Sequence, residues 1–276
     1  MKRIVITFLT VCMMLLLAGA ANASEVEILF FNAGKADASL ICTENSTVLI
    51  DTGKNKFGKE IVNHLLENGI EYIDVLFITH FDKDHVGGAD AVIENIEIGM
   101  IIEPAYHSNS KQYEQYREAV DAYSVPVETL ERNAVLELDG IRYSIDVANR
   151  TNYGEDEEND FSLVISMQHE ENAFLFAGDA ENPRLGELIS EGIGRHDVLK
   201  VPHHGRHEKL SASFFAAVRP KFSIITSDGE EPEDEQVVRL LEQHGQVFLT
   251  REGRVTCISN GHTVQVTQEK GGYQDD

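Results

Sequence analysis

Four side chains able to hold a divalent cation fall within six residues: His80, Asp82, Asp84 and His85 of His80-Phe81-Asp82-Lys83-Asp84-His85. Imidazole nitrogens and carboxylate oxygens together suit borderline ions such as zinc, manganese or iron. Two later runs end in groups of the same kind, Gly178-Asp179 and Pro202-His203-His204-Gly205. Taken singly, each is weak, because Gly-Asp is common and a strand-end histidine is more often a hydrogen-bonded structural residue. Together they describe a metal hydrolase: a carboxylate can bridge two ions, which generate hydroxide near neutral pH and stabilise entering and leaving oxygens.

The segments that must position these groups alternate between strand and helix patterns. Asp74-Val75-Leu76-Phe77-Ile78-Thr79 reads as a buried strand leading into the hexapeptide, and Val86-Gly87-Gly88 after it as a sharp turn into a helix over 89–93. Ahead of it lie three short apolar runs, 26–31, 39–42 and 47–50, the third ending in Asp51-Thr52-Gly53, then a helix with Ile61, Leu65 and Leu66 on one face. Beyond it the spacing predicts a strand over 98–102, a helix over 111–123 and a hairpin of 135–138 with 141–147 around Asp139-Gly140. The second half repeats the alternation, with helices over 182–191, 211–218 and 233–244 and strands over 173–176, 198–201, 222–226 and around Val247, Val255 and Val264. Strand runs in both halves with helices between them suggest two sheets packed face to face under helices, in one domain.

Composition narrows the partners. The chain of 276 residues is 42% hydrophobic and carries a formal net charge of −24, more negative still without Lys2 and Arg3. Such a charge disfavours broad electrostatic capture of nucleic acid, and no broad nucleic-acid surface is evident. Arg206, His207 and Lys209 form only a small cationic patch, interrupted by Glu208. Residues 1–23 have a basic start, an apolar run from Ile4 to about Leu17 and Ala21-Asn22-Ala23 before Ser24, the pattern of a cleaved signal peptide. The expectation is a secreted or extracytoplasmic protein with no membrane span in the mature chain. Residues 269–276 read as a flexible tail, and Glu155-Asp156-Glu157-Glu158 as a solvated loop. Cys42 and Cys257 lie in apolar runs and read as buried free thiols rather than a bridge.

The order Asn32-x-Gly34-x-x-Asp37, Leu49-Ile50-Asp51-Thr52-Gly53, Thr79-His80-x-Asp82-x-Asp84-His85-x-Gly87-Gly88, Asn159-Asp160-x-Ser162-Leu163-Val164, Gly178-Asp179 and Leu199-Lys200-Val201-Pro202-His203-His204-Gly205 resembles the metallo-β-lactamase-fold hydrolase superfamily. More narrowly, it is similar to the metallo-hydrolase domain of ComEC-type DNA-uptake proteins and their stand-alone secreted relatives. The resemblance implies a four-layer αββα sandwich over residues 24–268, with one or two divalent ions, zinc or manganese, at one edge between the sheets. It implies that His80 and Asp82 bind a first metal, Asp84 and His85 a second, and that Asp179 bridges them. His204 would complete the second site and His203 would act on the substrate as proton donor or oxyanion stabiliser; the two histidines could exchange these roles. Asp51 would steady the metal-binding loop through hydrogen bonds. The position where the superfamily commonly supplies another histidine to the first metal holds Asn159, which would line a looser site. Arg206 stands where a serine often follows His-His-Gly.

The function this implies is hydrolysis of a phosphodiester by a metal-bound hydroxide, with Asp84 and His203 in catalytic roles. Ester or lactone hydrolysis is the alternative within the fold, and a non-catalytic binding module with a degenerate site is the alternative outside it. The remaining histidines read as surface or structural, with His107 the one that a long loop could carry to the site.

Overall fold

Alternation of side chains along a strand sends successive residues to opposite faces of a sheet, and here both faces are apolar. In β1 (Val26–Phe30) Val26, Ile28 and Phe30 point one way and Leu29 the other, all buried. The same division recurs in β2 (Ser39–Cys42), β3 (Thr47–Ile50), β4 (Tyr72–Phe77) and β5 (Glu97–Pro104), so the sheet they form must be covered twice. The computed structural model describes residues 24–154 and 158–270. The expected signal segment 1–23, acidic residues 155–157 and tail residues 271–276 lie outside them.

On one face of the first sheet pack α1 (Gly58–Glu67), α2 (Ala89–Asn95) and α3 (Lys111–Tyr123), whose Ile61, Leu65, Val92, Tyr116 and Val120 meet Leu40, Leu49 and Leu76. A further strand, β6 (Val127–Leu130), closes that edge by pairing parallel with β5. It was not legible in the sequence, because its central residues, Glu128 and Thr129, are polar. The second sheet begins with the antiparallel run β7 (Ala134–Leu138), β8 (Ile141–Asp146), β9 (Val164–His169) and β10 (Asn172–Phe176). It continues through α4 (Asn182–Glu191), β11 (Val198–Lys200), α5 (Ser211–Val218), β12 (Phe222–Ile225), α6 (Glu235–Leu241) and β13 (Gln246–Leu249), its last strands parallel. The chain then returns to the first sheet as β14 (Val255–Ser259) and β15 (Val264–Gln268), antiparallel to β1 and to each other. The sixth helix is shorter than the expected 233–244 at both ends.

The first sheet has the strand order β15-β14-β1-β2-β3-β4-β5-β6 and the second β13-β12-β11-β10-β9-β8-β7. Between them lies a core in which Phe30 stacks on Phe176 with ring centroids 5.8 Å apart and Phe77 meets Tyr143. Each such fully buried aromatic contributes about 1.5–3 kcal/mol relative to exposure. A third core, of Leu185, Leu188, Phe214, Phe215, Val218, Val237 and Leu241, fixes α4 to α6 on the outer face of the second sheet. The result is the expected αββα sandwich. Cys42 packs under the first helical layer while Cys257 faces the inter-sheet core; they lie on opposite faces of one sheet, and both are free.

Candidate metal centre

Strands of both sheets end at one edge, and the polar residues of the chain collect there. Past Phe77 the chain places Thr79 to His85 in a tight loop, in which Asp82 accepts backbone hydrogen bonds from His85 and Val86, both at 2.9 Å. The glycine pair after it serves close approach rather than an unusual turn: a Cβ on Gly87 would lie 2.1 Å from the Lys83 carbonyl oxygen, and one on Gly88 2.4 Å from that of Thr52. Any side chain there would push the hexapeptide off the loop that follows β3.

That loop carries Asp51, in a left-handed backbone conformation with φ 58°. Its Oδ1 accepts the Thr79 N–H at 2.8 Å, and its Oδ2 accepts the Thr79 hydroxyl at 2.7 Å and His85 Nδ1 at 2.8 Å. A carboxylate only accepts when ionised, so the His85 proton sits on Nδ1. His204 Nδ1 donates to the Thr226 carbonyl at 3.0 Å, which fixes the same tautomer. Thr79 Oγ1, having given its proton to Asp51, can accept from His80 Nδ1 at 3.1 Å. All three rings therefore turn Nε2 inward, its lone pair open to a cation, whether a proton or a metal ion.

Those three Nε2 atoms and Asp179 Oδ1 are buried without a hydrogen-bond partner. They face one another closely: His85 Nε2 lies 3.3 Å from Asp179 Oδ1, and His204 Nε2 lies 3.1 Å from Asp179 Oδ2 and 3.4 Å from Asp84 Oδ2. His80 Nε2 is 4.0 Å from Asp82 Oδ2. Nitrogen lone pairs set against carboxylate oxygens repel unless a cation stands between them, and leaving buried polar atoms orphaned is costly. A divalent ion satisfies this donor set, and the residues present fit one or two such ions, with His80, His85 and Asp179 able to converge on one point.

The charges around the centre are strongly coupled. Burial would hold His85 and His204 neutral, but the surrounding carboxylates outweigh it: Asp179, Asp37 and Asp51 lift His85 well above the usual histidine range, and Asp179 and Asp84 lift His204 to about 9. A proton and a metal ion thus compete for the same Nε2 lone pairs. His80 goes the other way, held well below the usual range by burial and by the charge of His85. Burial acts to raise Asp179, yet His204, His85 and Lys200 hold it far below the ordinary carboxylate range, and His204 and His85 do the same for Asp84. Asp82 is pushed up to about 7 by burial and by the neighbouring carboxyls of Asp84 and Glu158, against the opposing charge of His85.

Two residues quoted above only as parts of motifs prove central to this network. Lys200, fully buried at the end of β11, pairs with Asp37, donates to the Gly178 carbonyl at 3.1 Å and stands 3.6 Å from Asp179 Oδ1. Asp37 in turn accepts the Thr226 hydroxyl at 2.5 Å and lies 3.5 Å from His204 Nδ1 and 3.8 Å from His85 Nδ1. Asp37, His85 and His204 could by proximity form a cation site, but the histidine nitrogens on that side already donate to Asp51 and Thr226, and Lys200 supplies the positive charge. This is a bracing network behind the centre.

His203 and Asn159 are placed differently from one another and from the centre. Both histidines of the pair have positive φ, near 50°, and this strained turn points them apart. His203 Nδ1 faces Glu181 at 3.4 Å and Glu208 at 3.6 Å, and burial lowers its pKa. Asn159 Nδ2 donates to Glu181 at 2.8 Å. Ser162, three residues on, accepts the Asp179 N–H at 3.0 Å and lies 3.4 Å from His80 Nδ1. Glu181 carried no signal in the sequence, and Glu208 read there only as the interruption of a small cationic patch. His107 is exposed with its ring edge against Tyr113, and Arg206 is paired with Glu231 at the surface.

The profile of the metallo-beta-lactamase superfamily matches residues 32–227, which span every element of this centre, and the chain belongs to that superfamily. Within it, the chain is similar to proteins of the ComEC type. It is 25% identical over 260 residues to ComE operon protein 3 of Bacillus subtilis (strain 168), covering 84% of this chain and 32% of that protein. It is 26% identical over 230 residues to Recombination protein 2 of Haemophilus influenzae, covering 80% of this chain and 26% of that protein, and similarly related to Competence protein ComA of Neisseria gonorrhoeae. The chain thus spans about a third or less of these relatives. Among solved structures, the metallo-beta-lactamase fold protein YhfI from Bacillus subtilis superposes with a TM-score of 0.58 at 9% identity, over 81% of this chain and 96% of that one. The diiron β-hydroxylase CmlA from Streptomyces venezuelae does so with a TM-score of 0.54 at 14% identity, over 89% of this chain and 54% of that one. Among the described residues, no helix is long and apolar enough to cross a membrane.

Proposed function

We propose that the chain is a metal-dependent phosphodiesterase acting outside the cytoplasm. The observation that carries this is the set of inward-facing Nε2 atoms of His80, His85 and His204, buried and unpartnered around Asp179. In the proposed assignment His80 and Asp82 hold a first ion, Asp84, His85 and His204 a second, and Asp179 lies between them. When bound, the ions would supply Lewis acidity towards the phosphate oxygens and a nucleophile drawn from water near neutral pH. The protein's own part is positional: Asp51 and Thr79 fix the ring of His85, Thr226 that of His204, and Lys200 holds the carboxylate of Asp179 in place.

His203 is the group proposed to exchange a proton with the departing alcohol. Glu181 and Glu208 on its Nδ1 side would stabilise its charged form at the moment burial opposes it. The acidic surface favours a small or non-nucleic phosphodiester over long nucleic acid, although the ComEC-type relatives keep nucleic acid as a second substrate class. Export rests on the N-terminal pattern of residues 1–23.

The test is hydrolysis of bis(p-nitrophenyl) phosphate, single-stranded DNA and a simple lactone by protein reconstituted with manganese or zinc. Phosphodiester cleavage that falls at least about 100-fold in Asp84→Ala and His204→Ala is expected. Lactone cleavage without phosphodiester cleavage would move the protein to the ester-hydrolase alternative. Failure to retain metal after reconstitution would refute the enzyme assignment altogether.

A further inference from the structure

We infer that the chain carries a second, metal-independent nucleophile, Ser166, which His196 activates to take the acyl group of a small uncharged ester in a cleft on the outer face of the second sheet. Helices α4 to α6 pack on one part of that face. Beside them, strands β7 to β9 floor a cleft of about 300 Å³. Val135, Val164, Leu175 and Ile193 give it apolar walls, and Asp146, its one acid, is paired with Arg184. Alternation along β9 sends Ile165 and Met167 into the inter-sheet core and turns Ser166 outward, where it lines the cleft partly exposed.

Behind Ser166 stands His196, buried in the connection between α4 and β11. Its Nδ1 lies 2.9 Å from the Gly194 carbonyl oxygen, which only accepts, so Nδ1 holds the proton and Nε2 offers a lone pair. The Ser166 hydroxyl, 2.8 Å from Nε2, is therefore the donor. Burial lowers the His196 pKa against the opposing pull of the Gly194 carbonyl and Asp197, which keeps that lone pair free near neutral pH. Backbone bonds fix the segment that carries the ring: the His196 N–H donates to the Val218 carbonyl at 3.0 Å and the Asp197 N–H to that of Ala173 at 2.7 Å. Nucleophile, base and the group that orients the base are thus all within hydrogen-bonding distance. A hydroxyl that served packing alone would be sealed in; this one opens on the cleft.

Ser144 on β8 stands directly opposite Ser166 in the antiparallel register and lines the same cleft. Opposed residues have Cβ atoms about 5 Å apart, so the Ser144 hydroxyl reaches the oxygen of a carbonyl attacked by Ser166. In that step Ser166 Oγ adds to the ester carbonyl carbon and its proton passes to His196 Nε2. The bond from that carbon to the alcohol oxygen then breaks, and the proton leaves with the alcohol. Water next adds to the acyl carbon and gives a proton to Nε2, which returns it to Ser166 Oγ as the carboxylic acid departs. Among the described residues none that lines the cleft is basic, so it suits an uncharged ester rather than a phosphodiester. The site is separate from the metal centre, whose ligands lie past the strand ends, whereas Ser166 is in the middle of β9.

The experiment treats metal-loaded protein with a fluorophosphonate, which phosphonylates an activated serine with loss of fluoride, and maps the labelled peptide by mass spectrometry. Hydrolysis of p-nitrophenyl butyrate, with and without EDTA, is the second readout. Label is expected at Ser166, and at least about 100-fold more slowly in His196→Gln, whose amide can still accept the Ser166 hydroxyl but cannot take its proton. Ester hydrolysis is expected to persist in EDTA and to be lost in Ser166→Ala. If His196→Gln does not fold, Ser166→Cys is compared with Ser144→Cys. The thiol beside His196 is expected to react with iodoacetamide at least about 10-fold faster than the thiol across the strand pair. No label at Ser166, equally fast labelling in His196→Gln, or equal alkylation rates would overturn the assignment. So would ester hydrolysis that stops in EDTA, which places it at the metal centre, or that survives Ser166→Ala.

Discussion

The two halves of the centre are built to different standards. Around His85, His204 and Asp179 every ring nitrogen and carboxylate is braced from behind, by Asp51, Thr79, Asp37, Lys200 and Thr226, all of them buried. Around His80 the ring is backed by the buried hydroxyls of Thr79 and Ser162, but Asp82, which faces its Nε2, is 40% exposed. On the proposed assignment, the contrast would set one ion position fixed by the sandwich against another shaped by the loop after β4.

Breaking the braced half should cost most. Lys200→Met would leave Asp37 and Asp179 as buried charges without their ammonium partner, and a loss of about 3–5 kcal/mol in urea unfolding is expected. A change below about 1 kcal/mol would mean that Asp37 has other compensation. Next comes Asp51→Asn, which keeps the shape but replaces a carboxylate that accepts three hydrogen bonds at Thr79 and His85. Metal affinity at the second position should fall about 10- to 100-fold, and an unaltered titration curve would show that Asp51 is merely structural.

The rim of the site offers a smaller, pH-dependent effect. Glu208 is raised from 4.5 to about 7, by burial first and then by Glu181 and Asp160. The folded protein therefore keeps a proton that the unfolded chain releases between about pH 4.5 and 7, so this contribution to stability is present below that window and is lost as pH rises through it. Glu208→Gln should flatten that part of the stability profile; a slope identical to wild type would contradict the assignment. Smallest of all is Arg206→Ala, which removes an exposed ion pair with Glu231. A stability change under about 1 kcal/mol is expected, and a larger one would show that the surface loop after His-His-Gly bears on the braced half.

Much of this was legible in the sequence because strand-end motifs and hydrophobic alternation are local signals. The hexapeptide, Asp179 and the His-His-Gly turn are all found at the sheet edge where the alternation of strands and helices places them, and His204 rather than His203 is the one beside Asp179. What was not legible depends on contacts between distant segments. Lys200 looks like an ordinary strand residue in the sequence, and only the packing of the two sheets sets the end of β11 beside Asp37, 163 residues earlier. Glu158 sat within a run of four acids that reads as a solvated loop, and the hydroxyl of Ser108, 50 residues earlier, is what holds its carboxylate. Asn159 turns its Nδ2 to Glu181, while its Oδ1, the atom an amide offers to a cation, is buried without a partner. Polar strands such as β6 escape notice for the same reason, since their place in the sheet comes from backbone pairing with a neighbour rather than from their own pattern.

The central claim, that His80, His85, His204 and Asp179 surround divalent ions, is tested most directly by anomalous diffraction from crystals loaded with manganese. The account predicts two peaks, one bounded by His80 Nε2, Asp82 and Asp179 and the other by Asp84, His85 Nε2, His204 Nε2 and Asp179. A peak on the Nδ1 side of His85 and His204, beside Asp37, or no peak in a fully loaded crystal, would contradict it.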